Sequence, residues 1–279
     1  MRGLIKIGIL IALLLALMGL IRGQVGSYSF NLIDTVNLQY EKSRSQESID
    51  REVLIKAVYD REYEDFCLEQ RGYGLFFNGG FYFVEKWTTE EWITNTVNRA
   101  SKSFEHQFGI KLVLAEIEEW HPASWDSLGL IKELREKIPL DDCDMVIGFS
   151  GRAADLTSRA EMPHQGSLGN YVIQGFYLPE EWSMQWLKYI FNSYHIQSYV
   201  LTREMGHIFG AVHPEEIYPA PSSFEDFWNY IGKTFSVMNA ITGIFTTHFD
   251  QHNRETILQN KHLPFNSPLN LSGVYFLKN

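Results

Sequence analysis

The chain has 279 residues, of which 45% are hydrophobic, 14% aromatic and 21% charged. That composition supports a sizeable apolar core and excludes a mainly disordered chain, and the length allows one large domain or two small ones. The formal charge of −10 argues against nucleic acid as a partner, because such binders carry a basic stripe. Two cysteines, Cys67 and Cys143, are too few for a disulfide scaffold or a thiolate metal site.

Arg2 and Lys6 precede an apolar run over 7–21, broken by Gly8 and Gly19, and Arg22-Gly23-Gln24 follows. A basic start, about 15 apolar residues and a polar break read as a secretory signal. The run is short for a membrane span, which needs about 20 residues. No small-x-small pair precedes Gln24, so the run is either removed with the signal or kept as a membrane anchor. In both cases the rest of the chain is expected to be exported, secreted or anchored facing outside. Removing residues 1–23 deletes Arg2, Lys6 and Arg22 and no acids, taking the charge from −10 to −13. In an oxidising compartment Cys67 and Cys143 could pair. Residues 24–50 are polar and irregular and read as a linker or stalk. Residues 51–279 are then the folded domain.

Residues 53–59 are β-rich and predict a first strand. Residues 72–87 are rich in Gly and aromatics around Asn78-Gly79-Gly80, a turn signal, and predict a hairpin. Thr88-Thr89-Glu90-Glu91 predicts a helix start, a hydroxyl cap followed by acids. Trp92, Ile93, Val97, Ala100, Phe104 and Phe108 recur at helical spacing, and Gly109 ends that helix. A second strand is predicted over 110–117, a helix over 127–138 stopped by Pro139, a central strand over 144–149 and an edge strand over 170–178. Alternating strands and helices give a small mixed sheet with helices packed on it, an α+β arrangement.

Glu204, His207, Gly210 and His213 form E-x-x-H-x-x-G-x-x-H. Chance would place these four residues so in on the order of one sequence in a thousand of this size. On a helix, positions 203 and 207 lie one turn apart on one face. Glu204 is rotated by one residue and can serve as general base toward a metal-bound water. Gly210 lets the backbone leave the helix through a left-handed conformation, so that His213 can return to the same point. Asp250 is placed to cap a last helix through Asn260.

This pattern resembles the metzincin zinc peptidases, whose motif is H-E-x-x-H-x-x-G-x-x-H followed by a Met-turn. Ser236-Val237-Met238-Asn239, with Met238 25 residues after His213, resembles that turn. The resemblance spans roughly residues 51–265. It implies a small twisted mixed sheet with packed helices, an active-site helix, and an irregular C-terminal half holding the Met-turn and a terminal helix. It also implies zinc-dependent endopeptidase activity, with Glu204 as general base and then proton donor, and His207 and His213 as zinc ligands. A peptide substrate would add as an extended strand along the edge at 170–178. Position 240, where some metzincins carry a tyrosine ligand, is Ala240.

One position departs from the pattern. The family's first zinc ligand is a histidine, and this chain has Arg203 there. A guanidinium offers no lone pair and is not deprotonated in proteins. Three accounts stay open. The protein is an inactive relative that binds peptides, with Arg203 replacing the metal's charge and pairing with Glu204 or another carboxylate. Or it is active, with Arg203 swung aside and another residue completing the site. Or the arginine is an isolated substitution in an enzyme whose relatives carry histidine. His248 and His252 are four apart, but no third ligand accompanies them, and a solvated loop and helix start is their expected setting.

Overall fold

The structure, a computed structural model, describes residues 48–70, 87–152, 158–164, 166–175, 194–218, 236–239 and 246–265. The apolar run at 7–21, the expected hairpin up to residue 86, and position 240 lie outside them. Among the described residues five strands form one sheet in the order β2-β1-β3-β5-β4. They are β1 (Arg51–Tyr59), β2 (Ile110–Glu119), β3 (Met145–Ser150), β4 (Arg159–Ala160) and β5 (Tyr171–Gly175). β1 pairs in parallel with β2 and β3, β3 in parallel with β5, and only β4 runs antiparallel, against β5. Six helices accompany them among the described residues: α1 (Arg61–Gln70), α2 (Thr89–Phe108), α3 (Ser127–Lys137), α4 (Tyr194–Ile208), α5 (Pro214–Ile217) and α6 (Gln251–Asn260).

Local chemistry accounts for the ends of α2. Thr88 accepts from the Glu91 amide and Glu91 reaches back to the Thr88 amide, a reciprocal cap that satisfies two orphan donors. Gly109 closes the helix at φ 70°, a left-handed value that costs other residues a Cβ clash. The predicted stripe from Trp92 to Phe108 is buried throughout. Asp60, which the sequence reading passed over, starts α1 by accepting from the Tyr63 amide at 2.8 Å. It also accepts from the Gly151 amide at 2.9 Å and from the Ser150 hydroxyl, tying that helix to the end of β3.

Strand alternation sorts the core into two layers. Val53, Ile55 and Ala57 of β1 and Met145, Ile147 and Phe149 of β3 pack with α2 and α4 on one face. Val58, Val146 and Ile173 meet Leu130, Ile131 and Leu134 of α3 on the other. β3 is buried at every residue, as a central parallel strand covered on both sides must be. Met205, Phe209, Val237, Met238, Phe249 and Ile257 join the first layer, so the C-terminal elements share the core of the sheet.

One expectation changes, and one question left open by the sequence is answered. The strand predicted at 170–178 is β5, and it is not the edge: β4 lies outside it, pairing Arg159 with Ile173 and Ala160 with Val172. Two residues carry too little pattern to be read as a strand. A buried pair holds this rim in place. Arg135 Nη1 is 2.9 Å from Glu161 Oε1, and Glu161 Oε2 accepts from the Asn170 amide at 3.0 Å. The cysteines do not pair: Cys67 is buried, Cys143 is half-buried, and both are thiols.

Candidate active site

α4 carries Arg203, Glu204 and His207. Its N-terminal part is anchored at Gln197, whose side-chain oxygen accepts from Tyr63 Oη at 2.9 Å and Trp92 Nε1 at 3.1 Å. The helix ends at Gly210, whose φ is 93°. The Gly210 amide bonds to the His207 carbonyl and the Ala211 amide to the Gly206 carbonyl, each at 2.9 Å. This is the Schellman pattern that a left-handed glycine permits. The next peptide is clamped by Asn253 of α6, which is fully buried. Its side chain accepts from the Val212 amide at 2.8 Å and donates to the Val212 carbonyl at 2.9 Å. The clamp delivers His213 back over the helix.

The rings of His207 and His213 lie 4.8 Å apart, inclined at 65°. His207 Nδ1 is 2.8 Å from the Ala211 carbonyl and His213 Nδ1 is 2.9 Å from the Met238 carbonyl. A carbonyl only accepts, so both Nδ1 atoms carry hydrogen and both Nε2 atoms hold the lone pair. Backbone carbonyls orient metal-binding histidines in this way.

The turn at Ser236-Val237-Met238-Asn239 sits beneath the helix. Ser236 Oγ accepts from the amides of Met238 and Asp250 at 3.2 Å each, and the Val237 amide donates to the His248 carbonyl at 2.6 Å. The Met238 side chain reaches Gly206: a Cβ there would stand 2.8 Å from Met238 Sδ and 2.6 Å from a Phe249 ring carbon. Sequence reasoning missed Gly206 and Asn253. Gly206 was legible only as a helix glycine, a costly choice that signals close packing. Asn253 is the third residue after Asp250, whose side chain accepts its amide at 3.1 Å.

Arg203 is half-buried, and its Nη2 lies 3.3 Å from His213 Nδ1 and 3.2 Å from Nε2. Since Nδ1 is a donor, the guanidinium donates to Nε2. The carboxylate partner expected for Arg203 is not seen among the described residues. Glu204 follows it in sequence but is turned by about 100° around the helix, which directs it away. Arg203 Nε is buried without a hydrogen-bond partner. Glu204 is buried, and burial raises its carboxyl to about 7 against the opposing charges of Arg203 and Arg159. Burial likewise lowers His207 to about 3, helped by His213 and Arg203. His248 is buried and His252 exposed, which separates that pair.

The residues present do not fit a catalytic zinc ion. Two neutral imidazoles converge, but the third position holds a cation, and that cation engages a lone pair a metal would need. Among the described residues no group of three or more His, Cys, Asp or Glu is placed to hold a metal ion.

A reprolysin-type family model described as metallo-peptidase family M12 matches residues 51–240. No curated protein matches the chain. A solved structure titled "Structure of a chaperone-substrate complex" is similar over 59% of this chain at 11% identity, with a TM-score of 0.40. This chain covers 27% of that one.

Proposed function

This chain belongs to metallo-peptidase family M12, a metzincin-type family that is generally zinc-dependent, and on that premise we propose an exported peptide-binding protein with impaired hydrolysis. Its fold is that of a zinc endopeptidase. Its cleft takes a peptide or protein segment as an extended strand, and Arg203 blocks the metal-dependent step. The observation that carries this reading is the 3.2 Å contact between Arg203 Nη2 and His213 Nε2. Peptide would add along β4, the terminal strand of the sheet, through backbone hydrogen bonds. Glu204, raised to about 7, can hold or accept a proton near neutrality, and Met238 and Gly210 supply the support and the chain reversal. Export rests on the N-terminal sequence pattern, and no helix among the described residues is long and apolar enough to cross a membrane.

A second reading, an active zinc endopeptidase in which Arg203 leaves His213, is favoured by the two Nε2 lone pairs that the carbonyls of Ala211 and Met238 preserve. Metal analysis and cleavage of a quenched fluorescent peptide library separate the two. The first reading expects no stoichiometric zinc and no turnover in the wild type. In Arg203→His it expects one zinc per chain and a rate at least ~100-fold higher, the scale on which a lost transition-state contact is felt. Stoichiometric zinc with turnover in the wild type would overturn it in favour of the second.

A further inference from the structure

Arg203 places a fixed positive charge against the His213 ring. The guanidinium has five N–H donors in a rigid fork. Nη2 donates to His213 Nε2. Nε is buried with no partner, and no carboxylate among the described residues forms an ion pair with the group. Arginines withdrawn from water are ordinarily paired, and the fork matches a carboxylate in both geometry and charge. The neighbouring groups do not meet that need. The two histidines beside it turn Nδ1 toward backbone carbonyls and offer it no anion. Arg159 of the rim strand adds a second positive charge that acts on Glu204. β4 packs against α4, the helix that carries Arg203.

We propose that the cleft is a carboxylate-binding site in which Arg203 receives the carboxylate of an extended peptide, taking the place of the charge that a metal would supply. This rests on the reading of the cleft as a peptide site. The carboxylate comes either from a peptide's free C-terminus, as left by a cleavage, or from an acidic side chain within it.

The wild-type chain, treated with chelator, is titrated calorimetrically with three probes of one length. These are acetyl-hexaalanine with a free C-terminus, its C-terminal amide, and the amide with Glu at the fourth position. The proposal expects at least one carboxylate probe to bind ten-fold or more tighter than the neutral amide. Preference for the first assigns the C-terminus, and preference for the third assigns the side chain. Arg203→Gln and Arg203→His should each bind all three probes alike, with circular dichroism melts confirming the fold. Equal binding of the three probes by the wild type overturns the proposal, as does binding of none at millimolar concentration or a preference that survives in a folded Arg203 variant. Zinc in the wild type is the separate measurement that would overturn the impaired-hydrolysis reading, so the two failures are distinct.

Discussion

Arg203 Nη2 and His213 Nε2 lie 3.2 Å apart, so the ring that the Met238 carbonyl orients from one side is engaged by a fixed cation on the other. The elements that hold the two histidines converge around that contact. The Gly210 reversal, the Asn253 clamp and the turn at Met238 all serve to place His213, and Arg203 acts on the lone pair they deliver.

The burial of Glu204 predicts an unusual pH dependence. Its folded value of about 7 stands above the ordinary 4.5, so the folded state binds more protons between these limits. Its contribution to stability is therefore present below about pH 4.5 and lost as pH rises through 7. His207 acts in the opposite direction. It is lowered from 6.5 to about 3, so its contribution is present above 6.5 and lost as pH falls toward 3. Urea unfolding of wild type and Glu204→Gln from pH 4 to 8 isolates the first effect. The wild type should lose about 3 kcal/mol relative to the variant across that range. A difference that stays flat with pH would show that Glu204 is not withdrawn from water.

Gly206→Ala should destabilise the fold although alanine is the better helix former. The helical gain is about 1 kcal/mol. Against it stands a Cβ at 2.6 Å from the Phe249 ring and 2.8 Å from Met238 Sδ, and overpacking of that kind costs about 1–3 kcal/mol. A net loss of about 1–2 kcal/mol in denaturant midpoint analysis is expected. A midpoint equal to or above wild type would mean that the helix and the methionine turn are not in contact.

Asn253→Ala tests the clamp. It removes both side-chain bonds to Val212 and leaves the Val212 N–H and C=O without those partners, at a cost of about 1–3 kcal/mol. In the Arg203→His background the same change should weaken zinc binding by about 10- to 100-fold, since the supporting shell no longer fixes His213. Competition with a chromogenic chelator measures this. Unchanged affinity would place the orienting role with Met238 alone.

Much of the fold was legible along the chain because local rules decide it. Thr88 and Glu91 announce a cap, Gly109 and Gly210 announce left-handed exits, and the stripe from Trp92 to Phe108 announces a buried face. The candidate site was legible through the spacing of Glu204, His207, Gly210 and His213. β4 was not, because a two-residue strand exists only by pairing with Ile173 and Val172, and the edge was consequently assigned to β5. α1 was missed although Asp60 marks its start, since its interior has no clean apolar period.

The sequence alone determined that position 203 carries a cation with no lone pair to offer, because the identity of a side chain fixes its charge and lone pairs in any fold. Only the tertiary structure decided where that cation goes. The helix turns Glu204 away from its neighbour, and the Gly210 reversal with the Asn253 clamp brings His213 across 10 residues to meet Arg203. A partner chosen by three-dimensional proximity leaves no periodic trace in the chain.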